Sequence, residues 1–207
     1  MLLRVVAADW SIAREADLSN VRFNQVAYHP EGDYALIAGK DTNGTGRLWR
    51  YDPSDLGLVE LSDCAKTGVE FYGLDFFPDG ASALVLGWYQ QNSSGGVLYA
   101  YRYRYDEAND LHSLDIDAAT NAWGPSDVSM AADGSEALIS IGMNDAEVMR
   151  YRPAAPYENR LLDTGFNGSN AYAVAMHPTE IFGLVAGYGD GVYRYDGVWQ
   201  GADLPAS

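Results

Sequence analysis

The chain has 207 residues, 47% of them apolar, enough to bury a substantial core and to exclude a disordered chain. Its 13 lysines and arginines face 29 acidic residues, a formal charge of -16 that argues against nucleic acid and anionic membranes as partners, because phosphates need a basic surface. Cys64 is the single cysteine, so an intrachain disulfide, a zinc-type Cys/His spacing and a CxxC redox pair are excluded.

The acidity comes from 20 aspartates and 9 glutamates against only two lysines, Lys40 and Lys66. Such a surface suits a salty environment or resistance to self-association; the plainer reading is a solvated acidic exterior. A lone cysteine reads as a small buried apolar residue.

The N-terminal stretch MLLRVVAADWSIAREADLSN has an apolar run broken by Asp9, so neither a signal peptide nor a membrane span is expected and the chain reads as soluble. A piece of a longer exported protein would look the same. These residues resemble the second half of a unit that recurs further on: RVVAAD stands where RLWRYD stands at 47–52, and WSIAREADL follows as an outer strand.

From residue 21 the chain repeats. Placing Pro30, Pro78, Ala132 and Pro178 in one column aligns VAYHPEGDYALIAG, LDFFPDGASALVLG, VSMAADGSEALISI and VAMHPTEIFGLVAG, at spacings of 48, 54 and 46 residues. Val26, Leu74, Val128 and Val174 coincide, as do Leu36, Leu84, Leu138 and Leu184. Each unit runs from an alternating segment through a Pro/Asp/Gly turn to a continuous apolar run, then an aromatic run and a looser fourth segment. Gly32, Gly80 and Gly134 supply the positive φ such turns need.

This pattern predicts first strands at 23–29, 71–77, 125–131 and 171–177, and second strands at 34–40, 82–89, 136–142 and 182–188. Third strands follow near 47–52, 97–105, 147–152 and 191–195, and fourths near 57–61, 111–116, 159–163 and 197–201. No stretch of about ten residues keeps helical spacing. Four strands per unit at this period predict an all-β fold, a β-propeller of four-stranded antiparallel blades, with about four complete blades and a partial N-terminal one in a single domain over 1–207. Either residues 1–20 close a small ring with the C-terminal segment, or another chain or further sequence completes a larger one.

The phrases FFPDGASALVLG and VSMAADGSEALIS, each followed by an aromatic third strand, resemble the SPDG repeats of bacterial propellers of the Tol-like and YVTN-like kinds, relatives of the WD-repeat group. The resemblance covers 21–201. It lacks the Trp-Asp dipeptide and the Gly-His of the strict WD repeat. It implies an architecture and, by association, a protein-binding scaffold or an accessory domain beside an enzyme.

Catalytic signals are absent from the sequence: there is no GxSxG, GxGxxG or P-loop, and Ser93 and Ser94 in QQNSSGG sit at a flexible hairpin tip. The expectation is therefore a non-enzyme without a cofactor. His29 and His177 share one repeat column, which points to a structural role at turns in place of a metal pair. DTNGTGRLWRYD at 41–52 mimics a calcium loop, but its last ligand would lie across a strand, so it reads as a hairpin. The arginines of the Arg-Tyr steps, Arg50, Arg102 or Arg104, Arg150 and Arg194, are expected to lie on an adjacent blade and pair there with carboxylates.

Function is then sought where the repeats differ, on the face formed by the loops between second and third strands and by the inter-blade links. The candidates are Trp88, Tyr89, Gln91, Asn92, Trp123, Asn144, Asp145, Phe166, Asn167, Tyr188 and Asp190. Aromatics beside amides and carboxylates suit a protein partner or self-association, with glycan recognition as the alternative; packing between blades is the competing explanation for each aromatic.

Overall fold

The computed structural model describes residues 2–6, 11–16, 20–92, 95–142, 147–166, 170–180, 182–187 and 191–201, with the strands alone for 2–6, 11–16 and 200–201. β1 (Leu2–Val6) and β2 (Ser11–Ala16) form a separate two-stranded antiparallel sheet. Four four-stranded antiparallel sheets follow, each a simple meander.

Blade one contains β3 (Val21–Tyr28), β4 (Ala35–Asp41), β5 (Gly46–Asp52) and β6 (Gly57–Glu60), and blade two β7 (Glu70–Phe76), β8 (Ser82–Asn92), β9 (Gly95–Asp106) and β10 (Leu111–Ala122). Blade three contains β11 (Pro125–Met130), β12 (Ala137–Ile141), β13 (Glu147–Tyr151) and β14 (Leu161–Asp163), and blade four β15 (Ala171–Met176), β16 (Gly183–Gly187), β17 (Val192–Tyr195) and β18 (Trp199–Gly201). The only helical turns among the described residues are two 3-10 turns, Ser62–Cys64 and Tyr157–Asn159. Among the described residues no helix is long and apolar enough to cross a membrane.

The apolar second strands of blades one to three are covered on both faces, which is why ALIAG and ALVLG are continuous runs. Strand alternation splits each blade between two joints. Leu36 and Leu48 of blade one pack with Leu74, Val85 and Tyr103 of blade two. Leu84 and Ala100 of blade two pack with Val128, Ile139 and Tyr151 of blade three. Leu138 and Val148 of blade three pack with Val174, Val185 and Tyr195 of blade four. Cys64 is buried within the first of these joints, and burial pushes its thiol pKa up to about 11.

The arginine column corrects the expected pairing. Arg102 does reach the next blade, but there it donates to the Tyr151 hydroxyl at 3.0 Å, while its carboxylate, Asp117 at 3.6 Å, lies on its own blade. Arg50 lies between the Tyr34 ring of its own blade and the Tyr105 ring of the next, at 4.6 and 5.4 Å. Arg150 and Arg194 approach Glu136 and Asp196 of their own blades at 3.8 and 3.7 Å. Where an arginine reaches the next blade it meets a tyrosine there, Arg50 the Tyr105 ring and Arg102 the Tyr151 hydroxyl, and a cation is attracted to such a ring or hydroxyl without a carboxylate of that blade at the joint.

Candidate functional site

In all four blades the pairing of first and second strand skips one residue in the same column, between Phe23 and Gln25, Phe71 and Gly73, Pro125 and Asp127, and Ala171 and Ala173. The skipped residues are Asn24, Tyr72, Ser126 and Tyr172. A β-bulge re-aims its extra side chain and bends the strand. Here Asn24, Tyr72 and Ser126, from three different blades, line one cavity of about 240 Å³ with Arg22, Gly124 and Pro125. A Cβ on Gly142 would run into the side chains of both Ser126 and Tyr172, so those two converge over the same glycine.

The charge at this cavity is organised around Glu70. Its carboxylate accepts from Lys40 Nζ at 2.5 Å and from Asn24 Nδ2 at 3.3 Å, and Arg22 lies 3.4 Å away. Asn24 also donates to the Phe71 carbonyl at 2.6 Å, tying the first strand of blade one to that of blade two. Burial, with the Glu70 carboxylate second, pushes the Tyr72 hydroxyl well above the ordinary phenol range and keeps it a neutral donor.

A second cavity, of about 340 Å³, is lined by Gln91, Asn92, Gly95 and Gly96 of the β8–β9 hairpin, by Asn121, Ala122 and Trp123, and by Glu147 at the start of β13. Of the residues expected from sequence, the fold thus brings together Gln91, Asn92 and Trp123. The link between blades two and three is the wall shared by the two cavities: 121–123 line one and 124–126 the other.

The remaining candidates fall elsewhere. Tyr89 is exposed, with its ring edge beside Gly68. Trp88 is buried, contrary to the expected exposure; its indole N–H donates to the Ala122 carbonyl at 3.3 Å and its ring meets Tyr72 edge-on at 6.4 Å, so it braces the shared wall from behind. Phe166 is also buried, packed against Trp199 and Tyr193 at 4.6 and 5.1 Å inside blade four. Both follow the general cost of leaving a large ring in water when a joint is at hand. Asn144, Asp145, Asn167, Tyr188 and Asp190 lie outside the described residues, as do Ser93 and Ser94.

The histidine column serves the turns. His29 Nδ1 accepts the Glu31 N–H at 3.4 Å, and His177 Nδ1 accepts those of Thr179 and Glu180 at 3.3 and 3.1 Å. Sequence reading placed both histidines at turns and missed that His29, Glu31 and Asp33 gather donor atoms within 4.8 Å in one turn, with both acids exposed. The Asp41 carboxylate caps its hairpin: it accepts the N–H groups of Asn43 and Thr45 at 2.8 and 3.0 Å and the Arg47 guanidinium at 2.8 Å. Those donors, the Thr45 amide foremost, hold its carboxyl below the usual range.

No protein-family model and no curated protein matches the chain. Solved structures do. TolB from Acinetobacter baumannii superimposes with a TM-score of 0.60 at 16% identity, over 93% of this chain and 45% of that one. Sqt1 from Chaetomium thermophilum, bound to the N-terminus of the ribosomal protein L10, gives 0.59 at 14% identity over 86% of this chain and 45% of Sqt1. A putative 6-phosphogluconolactonase from Bacteroides fragilis gives 0.62 at 16% identity over 97% of this chain and 62% of that one. The chain therefore spans roughly half the length of these proteins. Identities this low carry the fold and nothing of the chemistry. With four four-stranded meanders joined face to face, the chain has the β-propeller fold.

Proposed function

We propose that this is a non-catalytic propeller that binds an extended, basic protein segment across its loop face. The observation that carries the reading is the pair of cavities, about 240 and 340 Å³, lined by consecutive stretches of one link, 124–126 in the first and 121–123 in the second. A segment of a few residues can place one side chain in each cavity while its backbone crosses the wall, whereas a small ligand would occupy one cavity alone. Gln91, Asn92, Asn121 and Ser126 offer uncharged donors and acceptors to such a backbone.

Basic character follows from the field of a chain with formal charge -16, which favours cations overall and speeds their capture at low salt, and from Glu147 in the lining of the larger cavity. The Sqt1 structure, with an N-terminal segment of a ribosomal protein on a propeller, supports the mode by analogy of fold. Selection of peptides from a random library against the intact chain tests the reading. Selected peptides are expected to be rich in lysine and arginine, to weaken with salt, and to lose affinity about tenfold or more with Trp123→Ala or Gln91→Ala. Peptides that bind these variants unchanged would contradict it, and an empty selection with glycan-array hits would favour the carbohydrate alternative.

A further inference from the structure

Within each blade the residues facing the next blade occupy a fixed register. On the second and third strands they are Leu36 and Leu48 in blade one, Leu84 and Ala100 in blade two, and Leu138 and Val148 in blade three, all at 0% exposure. In blade four the same positions are Leu184 and Val192, paired through Arg194 and Ala186. Leu184 is 42% exposed, Ala186 is exposed and Val192 is only half-buried. An apolar sheet face that is sealed three times inside the chain is therefore open on blade four.

The complementary surface is open at the other end. Leu74, Val128 and Val174 are buried where each blade receives its predecessor, whereas Val26, in the same column of blade one, is 49% exposed. Beside it lies a cavity of about 230 Å³ lined by Phe23, Val26 and Ile37. Further out on that face Ile37, Trp49 and Tyr51 are already buried, so only its inner half is free.

We propose that a second copy of the chain docks head to tail, the open face of blade four receiving the inner half of blade one of its partner, with Leu184 against Val26. A copy is the occupant because the three joints within the chain set a first-strand apolar residue, Leu74, Val128 or Val174, in the receiving surface, and Val26 of blade one is the exposed member of that column. The contact is heterologous, so it extends to further copies unless the ring closes. Because it is confined to inner strands it is concentration-dependent, and because copies of charge -16 repel, added salt strengthens it. That response is opposite to the one expected of a basic segment on the loop face, and the two readings stand or fall separately.

Sedimentation equilibrium and light scattering on the intact chain, across about a hundredfold range of concentration at low and high salt, test the proposal. The average mass is expected to rise with concentration and with salt. Leu184→Glu is expected to raise the concentration needed by about tenfold or more, with the dilute melting temperature unchanged, because it sets a charge into an apolar contact. Oxidising a mixture of Val26→Cys and Leu184→Cys copies is expected to give the mixed disulfide dimer; the native thiol, Cys64, is buried and stays out of the reaction. A monomer at every concentration, an unaltered association of Leu184→Glu, or efficient self-crosslinking of Leu184→Cys alone would overturn it.

Discussion

The Asp75 carboxylate, on the first strand of blade two, accepts the main-chain N–H of Met130, on the first strand of blade three, at 2.7 Å. The next joint repeats the device: the Asp127 carboxylate accepts the Val174 N–H at 3.2 Å and the Ser129 hydroxyl accepts the Met176 N–H at 3.0 Å. These bonds run from first strand to first strand, so they fix the angular step between blades as well as satisfying edge amides. Asp75→Ala is expected to cost about 1–3 kcal/mol, since it strands a buried donor. Asp75→Asn keeps an acceptor oxygen and is expected to cost much less at neutral pH. Urea denaturation of the three proteins measures the difference.

The same pair of carboxyls gives the stability a pH dependence. Burial raises the pKa of Asp75 and of Asp127 above the ordinary value, against the lowering effect of their amide partners. A carboxyl with a raised folded pKa holds more protons folded than unfolded, so its contribution to stability falls as pH rises from about 4 through the folded pKa. Asp41, whose pKa is lowered chiefly by the Thr45 amide, acts in the other sense: its contribution is present above about 4 and lost below it. Urea midpoints measured at successive pH values are expected to decline less steeply above about pH 4 in Asp75→Asn than in the unaltered chain.

Two leucines in one repeat column make a controlled comparison. Leu138 is fully buried at the joint between blades three and four, while Leu184 is largely open. Leu138→Ala is expected to cost about 2–5 kcal/mol and Leu184→Ala, in dilute solution, within about 0.5 kcal/mol. Equal losses would mean that the blade-four face is covered even in the monomer.

Gly39 tests the bulge of blade one. A Cβ there would clash with the Arg22 carbonyl and lie 3.1 Å from the Phe23 Cα, both main-chain atoms on the strand beside the skipped Asn24. Gly39→Ala is expected to destabilise by about 1–3 kcal/mol or to shift the bulge. Nuclear magnetic resonance shifts of Asn24 and Phe71, which are bonded to each other, report which of these occurs.

Most of the architecture was legible because the apolar columns recur. The Leu36, Leu84, Leu138 and Leu184 column placed every second strand, and the largest departures are β8, β9 and β10, which extend beyond the predicted ends around the QQNSSGG hairpin. The candidate site was only half legible. Gln91, Asn92 and Trp123 stood out as polar and aromatic residues in variable loops, but the bulge column was missed because its amide, hydroxyl and two phenols (Asn24, Ser126, Tyr72 and Tyr172) do not repeat one residue type from blade to blade as the apolar columns do. A signal did exist: Phe71, Leu74 and Phe76 are buried at spacings of three and then two, and a break in period two marks an inserted residue. Trp88 and Phe166 went to the interior because sequence alone does not say which loop-side aromatic has a joint within reach.

Amide hydrogen exchange on the chain saturated with a library-selected basic peptide maps the binding face segment by segment. Exchange is expected to slow in 95–97 and 121–126, which line the two cavities or adjoin their lining, with the outer strands β6 and β14 unchanged. Slowing confined to those outer strands, with the 121–126 link unaffected, would contradict binding across the loop face.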